Sequence, residues 1–259
     1  MSRNLELLRR VEREAGRWEF GIDCEIPRPN ASEPSPGTKR SPQLTGQLKL
    51  TTLARNEIAN MVHRLFLSAE FTTAPQAVVF ASVDAPEASS WSTACFAEVL
   101  SAHVTGTVCM VDADIRTPLL HAFYGLERGP GVAPGLRGRT PVAQRAHQLS
   151  PNLWLISARD ASDLPLQSTT LDDAKVVVTE LRGAFDYVLI NVTPVDQCLD
   201  AVLLGGLADG LVLVLEANVT RKAAAQKAKN CLQAAGVKLF GAILNNRQFP
   251  IPEALYKRL

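Results

Sequence analysis

Two stretches of this chain hold residue types that could do chemistry. Ser89-Ser90-Trp91-Ser92-Thr93 places four hydroxyls in five residues, and Asp112-Ala113-Asp114-Ile115-Arg116 places two carboxylates and a guanidinium in five. Carboxylates and hydroxyls can hold hydrated divalent cations, a guanidinium can pair with phosphate oxygens, and carboxylates at a strand end can equally cap the loop that follows. A serine nucleophile would be another use of the hydroxyls. No Gly-x-Ser-x-Gly elbow is present, and no His or Glu sits at a spacing that names a base. The segments around the two stretches must position them. Ala77–Val83 is an apolar run of the kind that makes a doubly buried strand. The spacing then predicts a small-residue loop over Asp84–Ser90, a helix over Trp91–His103 and a second strand over Thr107–Asp114. A loop between a buried strand and a helix start gathers free backbone N–H groups, which suits phosphate.

Val111-Asp-Ala-Asp-Ile-Arg-Thr-Pro-Leu-Leu-His121, followed by Phe123-Tyr-Gly-Leu126, resembles the Walker A′ segment of the bacterial tyrosine kinases (BY-kinases) of capsule and exopolysaccharide synthesis. The resemblance runs over roughly residues 50 to 250, the span of one domain. It implies a P-loop NTPase-like fold, with Asp112 and Asp114 as the catalytic carboxylates and ATP and Mg²⁺ as cofactors. Against the family's Gly-Lys-Ser/Thr, Ser90 stands opposite the lysine and Trp91 opposite the small hydroxyl residue. No glycine occurs between Val83 and Val104. Without glycine the positive-φ conformations of a phosphate nest are restricted, and without lysine the β/γ-phosphates lose their side-chain cation. Trp91 is expected to fill the space phosphate would occupy.

A second departure lies in Phe185–Val195, similar to the family's Walker B strand, where Asn191 replaces the terminal Asp. An amide accepts a hydrogen bond but brings no negative charge to a metal. Asn245, after the last strand, matches the position that contacts the base in the wider fold. The family's inter-subunit Glu-x-x-Arg-x-x-Arg is matched by Glu57, Asn60 and His63, without either arginine. Of the family's C-terminal tyrosines only Tyr256 is in reach, since Tyr124 and Tyr187 fall within predicted elements.

The resemblance therefore implies a catalytically degenerate relative, with a vestigial nucleotide site at Ser89, Ser90, Ser92, Thr93, Arg116, Asn191 and Asn245. Its expected role is that of a regulatory or scaffolding partner in polysaccharide export. The expected partner is a membrane polysaccharide co-polymerase (chain-length protein) or an intact homologous kinase. The alternative is a divergent ATP-dependent tyrosine autokinase, in which Arg116, Arg137 or Arg139 supplies the missing cation. A partition-type ATPase is disfavoured by Arg116-Thr-Pro118 and by the lack of a basic DNA-binding face.

Bulk properties narrow the class. The chain has 259 residues, 46% hydrophobic and 20% charged, with a net charge of +1. That is a globular composition with no electrostatic case for nucleic acid or an anionic membrane. The five cysteines lack Cys-x-x-Cys spacing, which predicts buried thiols and no metal site. Neither a signal peptide nor a run of roughly 18 apolar residues is present, so a cytoplasmic location is expected, with recruitment to the inner membrane face by a partner.

Leu5, Leu8, Val11, Ala15 and Trp18 predict an amphipathic helix over residues 3–20, and five prolines mark residues 27–47 as a linker. The expected layout is a helical segment (1–26), a tether (27–47) and one domain (48–259). Further strands are predicted at Asn152–Ala158, Asp209–Glu216 and Phe240–Asn245, with helices at Thr51–Ser68, Leu171–Arg182 and Thr220–Ala235. Strands alternating with helices predict an α/β fold, a mostly parallel sheet with helices on both faces.

Overall fold

Continuous apolar runs in this sequence become strands buried on both faces. Ala77–Ser82 (β2), Val108–Asp112 (β3) and Tyr187–Val192 (β6) are buried at nearly every position. A computed structural model describes residues 19–22, 48, 50–68, 74–127, 142–158, 171–192, 194–195 and 199–246. The remaining strands are β1 (Glu19–Ile22), β4 (His147–Ser150), β5 (Leu153–Ile156), β7 (Gly210–Glu216) and β8 (Leu239–Asn245). They form one sheet in the order β1-β8-β7-β2-β6-β3-β5-β4. Every neighbouring pair is parallel except β4–β5.

The helices are α1 (Thr52–Val62), α2 (Pro86–His103), α3 (Leu120–Phe123), α4 (Leu171–Ala184), α5 (Asp200–Leu207) and α6 (Lys222–Ala234). Thr51 starts α1 by accepting the Ala54 N–H on its hydroxyl, and a single π turn, His63–Leu67, extends it. The helices cover both faces. Ile58 and Phe66 from the α1 side pack with Trp91, Phe96 and Leu100 of α2 on one face. Val177 and Leu181 of α4, Ala201 of α5, and Ala225 and Leu232 of α6 pack on the other. Burial of each large side chain contributes roughly 1.5–3 kcal/mol. β2 lies between β6 and β7, where the strand order reverses, so the cleft of such a sheet opens beyond its carboxyl end.

The α/β expectation holds, with three corrections. Glu19 and Phe20, placed by periodicity at the end of a helix, belong to edge strand β1, paired in parallel with Ala242–Asn245. The Asp84–Ser90 loop is mostly helix, because α2 begins at Pro86, whose missing N–H and fixed φ suit a first helical position. Several elements were not anticipated, among them the antiparallel edge β4, with mostly polar residues, and the short helices α3 and α5. Residues 3–18 of the predicted helix and the Pro-rich linker lie outside the described residues, as do Tyr256, Arg137 and Arg139.

Candidate functional site at the carboxyl ends of β2, β3 and β6

The turn between β2 and α2 comprises only Val83, Asp84 and Ala85. Among the described residues the only positive-φ positions are Asn218, Asn246, Gly125 and Gly236, so this turn contains no left-handed residue. A concave nest of N–H groups alternates right- and left-handed residues, and the turn supplies none of the latter. The hydroxyls that follow are turned back onto their own helix. Ser89 Oγ and Ser90 Oγ both donate to the Pro86 carbonyl, at 3.1 and 3.0 Å. Thr93 Oγ1 donates to the Ser89 carbonyl at 2.8 Å, and Ser92 Oγ is buried without a partner among the described residues.

Asn191 joins the strand ends. Its Nδ2 donates to Ser90 Oγ and to Asp112 Oδ1, each at 3.0 Å, and all three residues are fully buried. The rest of the Asp112 carboxylate is occupied by backbone. Oδ2 accepts the N–H groups of Leu119 and Leu120 at 3.1 Å, and Oδ1 accepts that of Asp114 at 3.3 Å. Asp114 acts likewise. Its Oδ1 accepts the N–H groups of Arg116 and Thr117, and its Oδ2 accepts the Thr117 hydroxyl at 2.7 Å. Both carboxylates thus cap the loop running from β3 into α3. Burial pushes the Asp112 carboxyl up to about 6; bonds from Asn191 and Leu120 oppose the rise, and the Asp114 charge adds to it.

Ser90, Asp112 and Asn191 converge as expected, with Asp114 beside them. The others do not join this network. Arg116 is exposed, and Asn245 ends β8, two strands from β2, or about 10 Å at the usual strand spacing. Asn245 is fully buried, and neither atom of its amide has a hydrogen-bond partner among the described residues. Trp91 is buried. It sits in the apolar layer edge-on to Phe123, ring centroids 5.5 Å apart. Ser90 is the hydroxyl that meets the strand ends, through Asn191.

Asn60 and His63 are exposed on the α1 side, and Tyr124 and Tyr187 are half-buried. Cys95 and Cys109 are buried, as expected, whereas Cys231 is exposed. The sequence reading missed one contact at this edge. Thr220 Oγ1 donates to Asp84 at 2.8 Å while accepting the Glu216 N–H, tying the β7–α6 turn to the β2–α2 turn. Left-handed Asn218, two residues earlier, was the available signal of a tight turn there.

The site is acidic. Asp84, Asp112 and Asp114 stand at these strand ends, and the chain has no lysine between Lys49 and Lys175. Among the described residues no group of three or more His, Cys, Asp or Glu side chains could hold a metal ion. No described helix is long and apolar enough to cross a membrane.

Strand order, crossover helices and a site at the carboxyl edge define a P-loop NTPase-like protein. No family model matches the sequence. Curated relatives do. The tyrosine-protein kinase YwqD of Bacillus subtilis is 28% identical over 208 residues, 76% of this chain and 88% of its own. The Staphylococcus aureus CapB, described as a tyrosine-protein kinase of inferred activity, is 25% identical over 155 residues, 57% of this chain and 68% of its own. Among solved structures, the chimerical protein CapA2B2 superposes with a TM-score of 0.72 at 18% identity, covering 93% of this chain and all of that one. The kinase domain of the Escherichia coli tyrosine kinase ETK gives 0.65 at 17% identity, covering 76% and 78%. In sequence and in fold the chain is similar to bacterial tyrosine kinases.

Proposed function

We propose that this protein is a catalytically degenerate member of the family, a pseudokinase that keeps the fold as a binding platform and regulates polysaccharide synthesis or export. The observation that carries the reading is the closed turn after β2. Helix α2 starts at Pro86, the Ser89 and Ser90 hydroxyls are bonded to its carbonyl, and Asn191 bridges Ser90 to Asp112. The residues present do not fit Mg·ATP. Phosphate would meet three carboxylates without a lysine, and both Walker A′ carboxylates already accept backbone hydrogen bonds. Phosphoryl transfer relies on positioning and electrostatics, and losing one such donor costs about 10²–10³ in rate.

On this reading the protein works in the cytoplasm, brought to the inner membrane face by a membrane co-polymerase or by an intact homologous kinase. The N-terminal segment (1–26) and linker (27–47) would precede a single domain (48–259), and self-association would not use the family's arginines, absent at Asn60 and His63. The testing experiment incubates the full chain with labelled ATP and Mg²⁺, alone and with a homologous active kinase, and maps any label. No label from the protein alone is expected. Tyrosine labelling that D112N abolishes would overturn the proposal.

One observation favours the second reading, a divergent autokinase. Ser90 and Asp112 meet at Asn191, so a hydroxyl and a carboxylate of the kind that share a hydrated metal remain adjacent. In that case Arg116 is the nearest expected cation, and the same labelling experiment separates the two readings.

A further inference from the structure

Helix α2 buries a carboxylate that takes no part in the strand-end network. Glu98 is 8% exposed, and two segments distant from each other in sequence supply its hydrogen bonds. Its Oε1 accepts the Leu48 N–H at 2.9 Å, and the Tyr124 hydroxyl donates to the same carboxylate. That hydroxyl also lies 3.9 Å from Met110 Sδ, a weak acceptor. Arg55, in the first turn of α1, adds a favourable charge. Burial raises the Glu98 carboxyl above its ordinary value, and Leu48, Tyr124 and Arg55 pull it back.

Leu48 stands just ahead of α1, where the proposed linker (27–47) would meet the domain. Its side chain is buried in the layer of α1 and α2, and its carbonyl accepts the Leu50 N–H at 2.9 Å. Tyr124 ends α3, a helix of four residues. One turn is the costly part of any helix, so α3 does not hold itself. It is pinned from outside at both ends. Asp112 Oδ2 takes the Leu119 and Leu120 N–H groups at its start, and Glu98 takes the Tyr124 hydroxyl at its end. A buried carboxylate stripped of one donor is costly unless water reaches it. Water admitted at Glu98 weakens the bond that remains, because that bond then forms in a higher dielectric.

We propose that Glu98 is a clasp coupling the chain's entry at Leu48 to α3, so that the two are held together or released together. Withdrawal of Leu48 loosens Tyr124, and a loosened α3 frees the amides that occupy Asp112. The chain ahead of Leu48 thereby gains a route to the strand-end loop. The clasp goes beyond the pseudokinase reading and holds whether or not that site binds nucleotide.

The test is amide hydrogen exchange on the full chain, read residue by residue. Tyr124→Phe keeps the ring and removes the hydroxyl. Exchange at Leu48 and Leu50 should then speed up by roughly tenfold or more, while the amides of β2 hold their rates. Leu48→Pro removes the donor at the other end, and exchange at Leu119, Leu120 and Leu126 should rise by a similar factor. Glu98→Met cuts both bonds, and adding Tyr124→Phe to it should change nothing further at Leu48 and Leu50. A change confined to the mutated segment, or one shared equally by β2, would overturn the clasp. So would an effect of Tyr124→Phe that survives in the Glu98→Met background.

Discussion

Two loops leave the same edge of the sheet, and they differ in what their side chains do. In the β3–α3 loop Asp112 and Asp114 both serve the loop's own backbone N–H groups. The β2–α2 turn contains neither glycine nor lysine and is short, closed by helix from Pro86 and held to the β7–α6 turn through Asp84 and Thr220. In the first loop the carboxylates hold backbone; in the second the hydroxyls turn back onto their own helix. Retention of a motif residue is therefore poor evidence of activity when its lone pairs are already occupied within the chain. Asn191 connects the two loops, and the comparison can be attacked there.

The largest effect is expected from Asp112→Ala. It strands the N–H groups of Asp114, Leu119 and Leu120 and one donor of Asn191, so denaturant melts should show a loss of about 3–5 kcal/mol. A loss under 1 kcal/mol would mean that the carboxylate is not the cap described. Asn191→Asp comes next. It places a second carboxylate against Asp112 in a buried site, so one of the pair must stay protonated. Urea melts should show the variant clearly weaker than the parent at pH 8 and close to it at pH 5; equal stability at both would separate the loops.

The pH profile of the parent protein sharpens the same point. Burial raises Asp112 to about 6 in the folded state, above its unfolded value near 3.8. Its contribution is therefore fully present below the unfolded value and is lost as pH rises through about 6, a change of about 3 kcal/mol. Asp112→Asn should flatten that part of the profile, and an unaltered profile would assign the titration to another group. The smallest effect is expected for Ser90→Ala, which removes one bond to Pro86 and one from Asn191 and should cost about 1 kcal/mol.

Much of the fold was legible because it rests on period and length. The runs at Ala77, Thr107 and Asp209 are too apolar for edge strands, and helix-length connections between them require parallel crossovers. Strand β1 was hidden because Glu19 and Phe20 continue a helical stripe, and their pairing with Ala242 and Ile243 is a long-range event no local pattern carries. Strand β4, reading His-Gln-Leu-Ser, has little apolar alternation because it lies on an edge. At the site, the residue types at Ser90, Asp112 and Asn191 were legible, but their orientation was not. A serine near a helix start donates outward to a ligand or back to its own helix depending on where that helix begins, and Pro86 decided that. Small residues at Ala85, Ala88 and Ser89 read as loop, although they are equally compatible with a helix packed under a sheet.

The central proposal is that the strand-end site is closed to nucleotide by its own side chains. A thermal-shift titration of the full chain with Mg·ATP up to millimolar concentrations tests it most directly. The account predicts a flat melting midpoint at every concentration. A midpoint that climbs steadily with Mg·ATP, approaching the roughly 2.7 kcal/mol that a hundredfold excess over the dissociation constant supplies, would contradict it.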